Sequence, residues 1–527
     1  MSDGLNTLLV GIDAACFPVL VPQFRTDDLP TLQRLFETSG ELESQIPPWT
    51  ASAWPSVYTG MNPGKHGVFD FLSFDGYDWD VVSSTHVRRR FLWELLDLHG
   101  YRSVVVNAPV TAPPRPFDGA LVPGYMAPES PACHPEGLLD DIEAAIGTYE
   151  VYGDADSATD RVRSRGEAFR YLADRFDPAF GFLQFQWTDT ICHERPGDTD
   201  ALGAVYRAVD EQIAETLDAC EPRNVVVVSD HGIGPYSGFE FRVNEFLAEH
   251  GYVTVRRGGD GMPTWADTRD TRLRQGAETT RPTARLLDRL AASAATVGLT
   301  SQRLGSLFEA MGLRSFVLDH VPTSTVSAAT EQVDFARSRA YMRSRTECGV
   351  RLNVEGREPD GVVPQSAYDD ERRAIIELLR DATCPDGSPV FEAVVPREEV
   401  LYGPEAHRAV DIVTVPTGFD QFLSARLGGG VFDQPSEPWN HKRMGVIAAR
   451  GPDIDESASL ANASLFDVAP TVLATFGVPA DADMDGRTLP IVDDAGEREY
   501  PAHETDAPTE SAPETVAQRL SDLGYIE

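Results

Sequence analysis

Short apolar runs alternate with amphipathic stretches through the N-terminal half of the chain. Asn6 to Ile12 (NTLLVGI), Tyr101 to Asn107 (YRSVVVN), Phe180 to Gln186 (FGFLQFQ) and Asn224 to Ser229 (NVVVVS) are continuously apolar, the pattern of strands buried on both faces. Leu29 to Phe36, Arg161 to Phe176 and Asp200 to Cys220 have helical spacing between them. This alternation predicts an α/β fold with a mainly parallel central sheet and helices on both faces. The pattern loosens from about Pro235 to Pro404. Arg256 to Arg281, rich in Gly, Asp, Thr and Arg, reads as a mobile excursion, and Ala284 to Met311 as a helix. Residues 236–404 are therefore expected to form an inserted cap between two core segments, 1–235 and 405–489. The core is expected to resume with Val410 to Pro416 (VDIVTVP), then Met444 to Ala449 (MGVIAA), and to close with a helix at Leu465 to Phe476. An acidic, Pro/Thr/Glu-rich tail, expected to be disordered, follows at 490–515, with a short helix at 516–527.

Charge changes this picture more than composition does. The 527 residues are 42% hydrophobic and 24% charged, ordinary for a globular protein, but the net charge is −38. Lys65 and Lys442 are the only lysines, so arginine supplies almost all positive charge. Apolar runs and tryptophans argue against a disordered acidic chain. A protein working in molar salt fits better, because the Debye length there shrinks to roughly 3 Å and self-repulsion is screened. A halophilic protein is therefore expected. The same charge disfavours nucleic-acid duplexes and anionic membranes as partners. Six cysteines show no C-x-x-C spacing and no density of a disulfide scaffold. The opening MSDGLNTLLVGIDAACF has no basic segment before its apolar run, and no stretch approaches the ~20 apolar residues of a membrane span, so a cytoplasmic location is expected.

Four segments place Asp or His at the carboxyl ends of predicted strands, where open α/β sheets bind ligands. Asp13 ends VGID. Asp189 and His193 form a D-x-x-x-H pair just after FGFLQFQ, Asp230-His231 follows VVVVS, and His441 immediately precedes a strand. Three carboxylates and three imidazoles make two three-ligand sites, each with positions left for water or substrate, as a catalytic zinc or manganese pair requires. Each fragment alone is weak, since a strand-end Asp is more often a turn former and most D-x-x-x-H pairs are simply solvated. The combination and its order carry the weight. A hydroxyl at a helix start, where free N–H groups and the dipole suit a phosphate, completes such a site; Thr50, Ser52 and Ser56 all qualify in PPWTASAWPSVYTGMNPGKHGVFDF.

With these residues in place the chain resembles the alkaline phosphatase superfamily, and within it the type I phosphodiesterase/nucleotide pyrophosphatase branch, including its predicted phosphohydrolase and phosphomutase members. In that branch the nucleophilic Thr lies nine residues before the Thr of T-G-x-x-P-x-x-H-G. Thr59 opens TGMNPGKHG, which points to Thr50. SLFDVAPTVLATFGVPADADMDGRTL (Ser464 to Leu489) and NVEGREPDGVV (Asn353 to Val363) are also similar to family segments. The resemblance implies one metal held by Asp13, Thr50, Asp230 and His231, and a second held by Asp189, His193 and His441. It also implies in-line attack by Thr50 on a small-molecule phosphoester, a phosphothreonine intermediate, and hydrolysis by water at the second metal. One position departs from the pattern: nucleotide pyrophosphatases carry Asn three residues after the nucleophile to contact a phosphate oxygen, and here it is Ala53. Asn107, Lys65, Lys442 and Arg443 are the candidates to replace it. A sulfatase would need C-x-P-x-R, which does not occur. A phosphomutase sharing the metals, or a non-catalytic metal-binding protein, are the alternatives. The oligomeric state is not legible.

The salt expectation has a direct check. Thermal melting in 0.1 M and 2 M KCl should show markedly higher stability in the higher salt; equal or greater stability at low salt rejects the halophilic reading.

Overall fold

The structure, a computed structural model, describes residues 4–25, 28–153, 155–257, 331–501 and 503. The helix expected at 284–311, nearly all of the excursion expected at 256–281, and the terminal helix at 516–527 lie outside the described residues. So does the tail beyond 503.

The central sheet has eight strands: β1 (Thr7–Ile12), β2 (Ser39–Glu43), β3 (Ser103–Ala108), β4 (Gly119–Pro123), β5 (Phe180–Phe185), β6 (Asn224–Val228), β7 (Met444–Arg450) and β8 (Ala463–Ser464). Their order is β8-β2-β7-β6-β1-β5-β3-β4. β1 sits between β5 and β6, parallel to both, and β3 and β4 continue in the same direction. Every residue of β1, β3, β5 and β6 is buried, as their unbroken apolar runs require. Alternate residues serve opposite faces. Leu9 packs into one cluster with Trp54, Tyr58, Leu92 and Val472, whereas Leu8, Val10 and Ile12 pack into the other with Leu32, Val162, Phe169 and Val209. Helices thus cover both faces, and the mainly parallel α/β architecture expected from the sequence is present.

β7 is the exception in direction, running antiparallel to both β2 and β6. Its direction follows from the chain ahead of it. Trp439–Lys442 pairs antiparallel with Gly232–Pro235, just past the carboxyl end of β6, so the chain enters the sheet from that end and runs back through it. The entry also delivers His441 to the edge where β1, β5 and β6 terminate.

Two boundaries differ from expectation. Ile412–Pro416, expected to restart the core, pairs with Gly349–Leu352 and Phe391–Pro396 in a separate four-stranded sheet with Ala340–Tyr341. An apolar run five residues long reads the same in either sheet. The core sheet resumes only at β7. Residues 490–501, expected to open a disordered tail, are packed: Ile491 is buried, Glu497–Arg498 pairs with Ala480–Asp481, and the Tyr500 hydroxyl donates to Pro479 O at 2.8 Å. Polar composition hid one apolar anchor. The Asn353 to Val363 segment forms a buried charge network in the second sheet. Asp411 accepts from Arg357 at 2.7 Å, Arg397 at 3.1 Å and the Tyr368 hydroxyl at 2.9 Å. Burial alone would raise its pKa, but Arg357 and Arg351 hold it at about 2.

One glycine of β1 sets the spacing between sheet and site. A Cβ on Gly11 would lie 2.5 Å from Cη2 of Trp54 and 3.0 Å from Cγ of Gln184. Trp54 is rigid and fully buried. Gly11→Ala should therefore destabilise the protein by about 1–3 kcal/mol through overpacking, read as a lower melting temperature. An unchanged melting temperature would mean that Trp54 is free to shift.

Candidate active site

The carboxyl edge of the sheet gathers residues from five separate parts of the chain. Asp13 follows β1, Asp230 and His231 follow β6, and Asp189 and His193 lie one turn apart on the helix Trp187–Glu194, directly after β5. His441 arrives through the antiparallel entry of β7. Thr50 is the first residue of the helix Thr50–Thr59.

Distances fall into two sets. His193 Nε2, His441 Nε2 and Asp189 Oδ1 form a triangle with sides of 3.1, 3.2 and 3.4 Å. His231 Nε2 lies 3.1 Å from Thr50 Oγ1, 3.2 Å from Asp230 Oδ2 and 3.7 Å from Asp13 Oδ1. A tetrahedral ion with bonds of about 2.0–2.1 Å separates its ligand atoms by roughly 3.3 Å, so both sets are spaced as a small cation would space them. Asp189 also lies within 4.8 Å of the Asp13 and His231 ligand atoms, so the sets adjoin.

Hydrogen bonding leaves one inward-facing oxygen of each carboxylate without a donor. Asp13 Oδ2 accepts from Trp54 Nε1 at 2.9 Å and Gln184 Nε2 at 2.8 Å, and Asp230 Oδ1 from Ala14 N at 3.3 Å. Asp13 Oδ1, Asp189 Oδ1 and Asp230 Oδ2 are buried without a hydrogen-bond donor, and all three point into the cluster. His231 Nδ1 donates to Gly232 O at 3.0 Å and His441 Nδ1 to Pro48 O at 3.1 Å. A carbonyl can only accept, so each Nδ1 carries the proton and each Nε2 presents a lone pair inward. Burial lowers both imidazoles to about 4, keeping them neutral. The two rings stack at 3.6 Å between centroids, which two imidazolium ions would not tolerate.

Three buried carboxylates without a lysine or arginine among them are costly. Burial, reinforced by Asp230, pushes Asp13 well above the usual carboxylate range, and burial lifts Asp230 to about 7. Asp189 is also buried, yet His193, one turn along the same helix, holds it well below the ordinary value. Carboxylate oxygens without a donor, inward-facing imidazole nitrogens and the absence of a lysine or arginine among them together fit divalent cations.

The seven residues expected at the site meet there, and the two expected to bind substrate do not. Asn107 is buried beneath it, donating to Gln184 O at 3.1 Å and to Gln184 Oε1 at 2.5 Å. It braces the glutamine that holds Asp13. Lys65 Nζ bonds Asp485 Oδ1 at 2.6 Å and Asp483 O at 2.8 Å, tying its helix to the C-terminal loop. Lys442 pairs with Asp420 and Arg443 with Glu43. Ser52 donates to Pro47 O at 3.1 Å, and Ser56 bonds Gln45 and His66, so neither rival hydroxyl reaches the cluster. Trp54 serves Asp13, while Trp49 stands against His441 with ring centroids 4.5 Å apart.

A cavity of about 70 Å³ opens over the cluster, reached by Thr50, Asp189, His193 and His441. Trp49, Phe71, Tyr125, Tyr152 and Trp187 give it an aromatic wall, and Arg345, Thr346, Glu437 and Asn440 its polar side. None of these polar residues is marked in the sequence by a motif. Gln184 was legible in principle, as the polar interruption of an otherwise apolar strand.

Residues 7–303 match the family model described as type I phosphodiesterase/nucleotide pyrophosphatase. No curated protein matches the chain. Among solved structures the chain is similar to phosphonoacetate hydrolase from Sinorhizobium meliloti 1021, in complex with phosphonoacetate. Identity is 16% and the TM-score 0.52, over 88% of this chain and 94% of that one. Murine ectonucleotide pyrophosphatase/phosphodiesterase 5 in complex with AMP aligns at 12% identity and TM-score 0.47, over 90% of this chain and 96% of that one. The first of these likenesses is one of fold.

Cation binding by this cluster has a consequence for stability. Exhaustive chelation should lower the melting temperature of the wild-type protein, and adding back Zn²⁺ or Mn²⁺ should restore it. In chelator, Asp230→Asn should melt above wild type, because it removes one buried, uncompensated charge. A melting temperature indifferent to chelator would show that no cation is held here.

Proposed function

This chain belongs to the type I phosphodiesterase/nucleotide pyrophosphatase family, within the alkaline phosphatase superfamily of phosphoester hydrolases, and we propose that it hydrolyses a small-molecule phosphoester through Thr50 with the help of two divalent cations, zinc or manganese. One observation carries the reading: the Thr50 hydroxyl lies 3.1 Å from His231 Nε2, in a cluster where three carboxylates each turn an unbonded oxygen inward. Asp13, Asp230, His231 and Thr50 would hold one cation, and Asp189, His193 and His441 the other. When bound, the cations would lower the pKa of the attacking hydroxyl and offset charge on the phosphoryl oxygens.

The chain's own residues supply the positioning. Thr50 Oγ1 attacks phosphorus as the bond to the leaving oxygen breaks, giving a phosphothreonine; water then attacks phosphorus, breaks the Oγ1–P bond and releases phosphate or its monoester. The start of the helix Thr50–Thr59, positive by its dipole, faces the phosphoryl group. Trp54 and Gln184 fix Asp13 so that Oδ1 stays on the cluster. Gly232 O and Pro48 O orient His231 and His441 in the same way. Trp49, Phe71, Tyr125, Tyr152 and Trp187 exclude bulk water and pack against the leaving group.

Deleting the nucleophile tests the reading. Thr50→Ala should reduce turnover of chromogenic phosphoesters by about 10³-fold or more while both cations remain bound. Ser52→Ala should stay within roughly tenfold of wild type, because its hydroxyl is spent on backbone carbonyls. Acid quenching and mass spectrometry should place phosphate on the peptide containing Thr50. A Thr50→Ala enzyme within tenfold of wild type would sink the assignment.

A further inference from the structure

The position that contacts a phosphate oxygen in nucleotide pyrophosphatases is Ala53 here, and the residues proposed from the sequence to replace that contact are occupied elsewhere. Among the described residues, Arg345 is the one lysine or arginine that lines the cavity above Thr50, Asp189, His193 and His441. We propose that Arg345, reaching over from the inserted region, binds the non-bridging oxygens of the substrate's phosphoryl group and selects small phosphomonoesters over diesters. This rests on the hydrolase reading above.

Arg345 is held ready for that task. It opens the turn Arg345–Glu347, whose cap Ser344 accepts from Thr346 N at 3.3 Å. Thr346 in turn donates its hydroxyl to the buried Asp70 at 2.5 Å, fastening the turn to the core. The guanidinium lies over the rings of Phe422 at 4.6 Å and Trp49 at 5.7 Å, and Trp49 immediately precedes Thr50. Glu437 Oε1 takes one of its five N–H groups at 2.8 Å. Glu437 also accepts from Asn440 at 2.7 Å and stands 3.9 Å from His193 Nδ1, which places the guanidinium beside the ligand cluster. The other N–H groups form a planar fork suited to two phosphoryl oxygens.

Charge then decides the substrate class. A terminal phosphoryl group carries about two negative charges near neutrality and a diester one, so a fixed guanidinium favours the monoester.

The test compares 4-nitrophenyl phosphate with bis(4-nitrophenyl) phosphate, in molar KCl with Zn²⁺ or Mn²⁺. Wild type should show the higher kcat/KM on the monoester. Arg345→Ala should lower kcat/KM for the monoester by about 10²-fold or more, weaken inhibition by inorganic phosphate by about tenfold or more, and change the diester rate by less than about fivefold. Arg345→Lys, which keeps the charge and loses the fork, should fall between, and it reads the same ratio if the alanine variant does not fold. Equal losses on both substrates would make Arg345 a structural strut. A wild-type preference for the diester, or no loss on either substrate, would equally overturn the proposal. The wild type on the same two substrates separates the cases: no turnover of either by the metal-loaded protein defeats the hydrolase reading itself, independently of Arg345, whereas full activity of Thr50→Ala removes only Thr50 as the nucleophile.

Discussion

Three carboxylates share one water-excluded cluster, and much of the molecule is arranged around the cost of keeping them there. Removing a single charge from water costs several kcal/mol, and these three also repel one another. Asp13 and Asp230 are fully buried and Asp189 nearly so. What surrounds them is a set of donors that fixes one oxygen of Asp13 and of Asp230 while leaving a partner oxygen bare. Trp54, Gln184 and Ala14 N play that part, and Asn107 supports Gln184 from below. The two hydrophobic clusters make the sheet rigid enough for such placement to persist. Gly11 belongs to the same economy, since its missing side chain is the space in which the Trp54 indole reaches Asp13.

The fold and most residues of the cluster were legible for one reason: Asp13, Asp189, Asp230 and His231 stand at or just past the end of a strand whose apolar run is unmistakable. Asp13 after NTLLVGI and Asp230-His231 after four valines are abrupt changes of polarity, and the sheet geometry converts them into neighbours. Where polarity does not change abruptly, the sequence is mute. VDIVTVP is a good strand in any sheet, so its place in the second sheet could not be read from it. Asn107 and Lys65 carried suitable chemistry, but nothing local reveals that one is braced beneath Gln184 and the other is tied to Asp485. Arg345 lies within a segment of ordinary polarity; only the turn and its aromatic shelf distinguish it.

Arginine does two different jobs in this acidic chain. On the surface, pairs such as Arg223 with Asp453 and Arg450 with Glu37 are exposed and worth little each. Inside the second sheet, Arg343 with Glu347 and Arg351 with Glu358 are almost wholly buried, and Arg357 meets Asp411. There the planar fork satisfies two carboxylate oxygens together, which a lysine could not do. The inserted region therefore adds buried ion pairs to an apolar cluster of its own, built from residues such as Phe241, Tyr341, Val350, Ile375 and Phe391. It joins the core at the cavity, where Arg345 meets Glu437 and Thr346 meets Asp70.

The position of β7 also dictates when this protein can become itself. β2 and β6 are never neighbours; β7, encoded some two hundred residues after β6, is the strand that lies between them. Until the ribosome has released residues 444–450, β6 ends in a bare edge and β2 has no sheet to join. An open edge of four valines invites pairing with other chains, the hazard that long-range sheet topologies carry during synthesis. His441 emerges on the same stretch of chain, so closure of the sheet and completion of the cluster are a single late event. A truncated or stalled chain thus has neither a closed sheet nor a finished cluster.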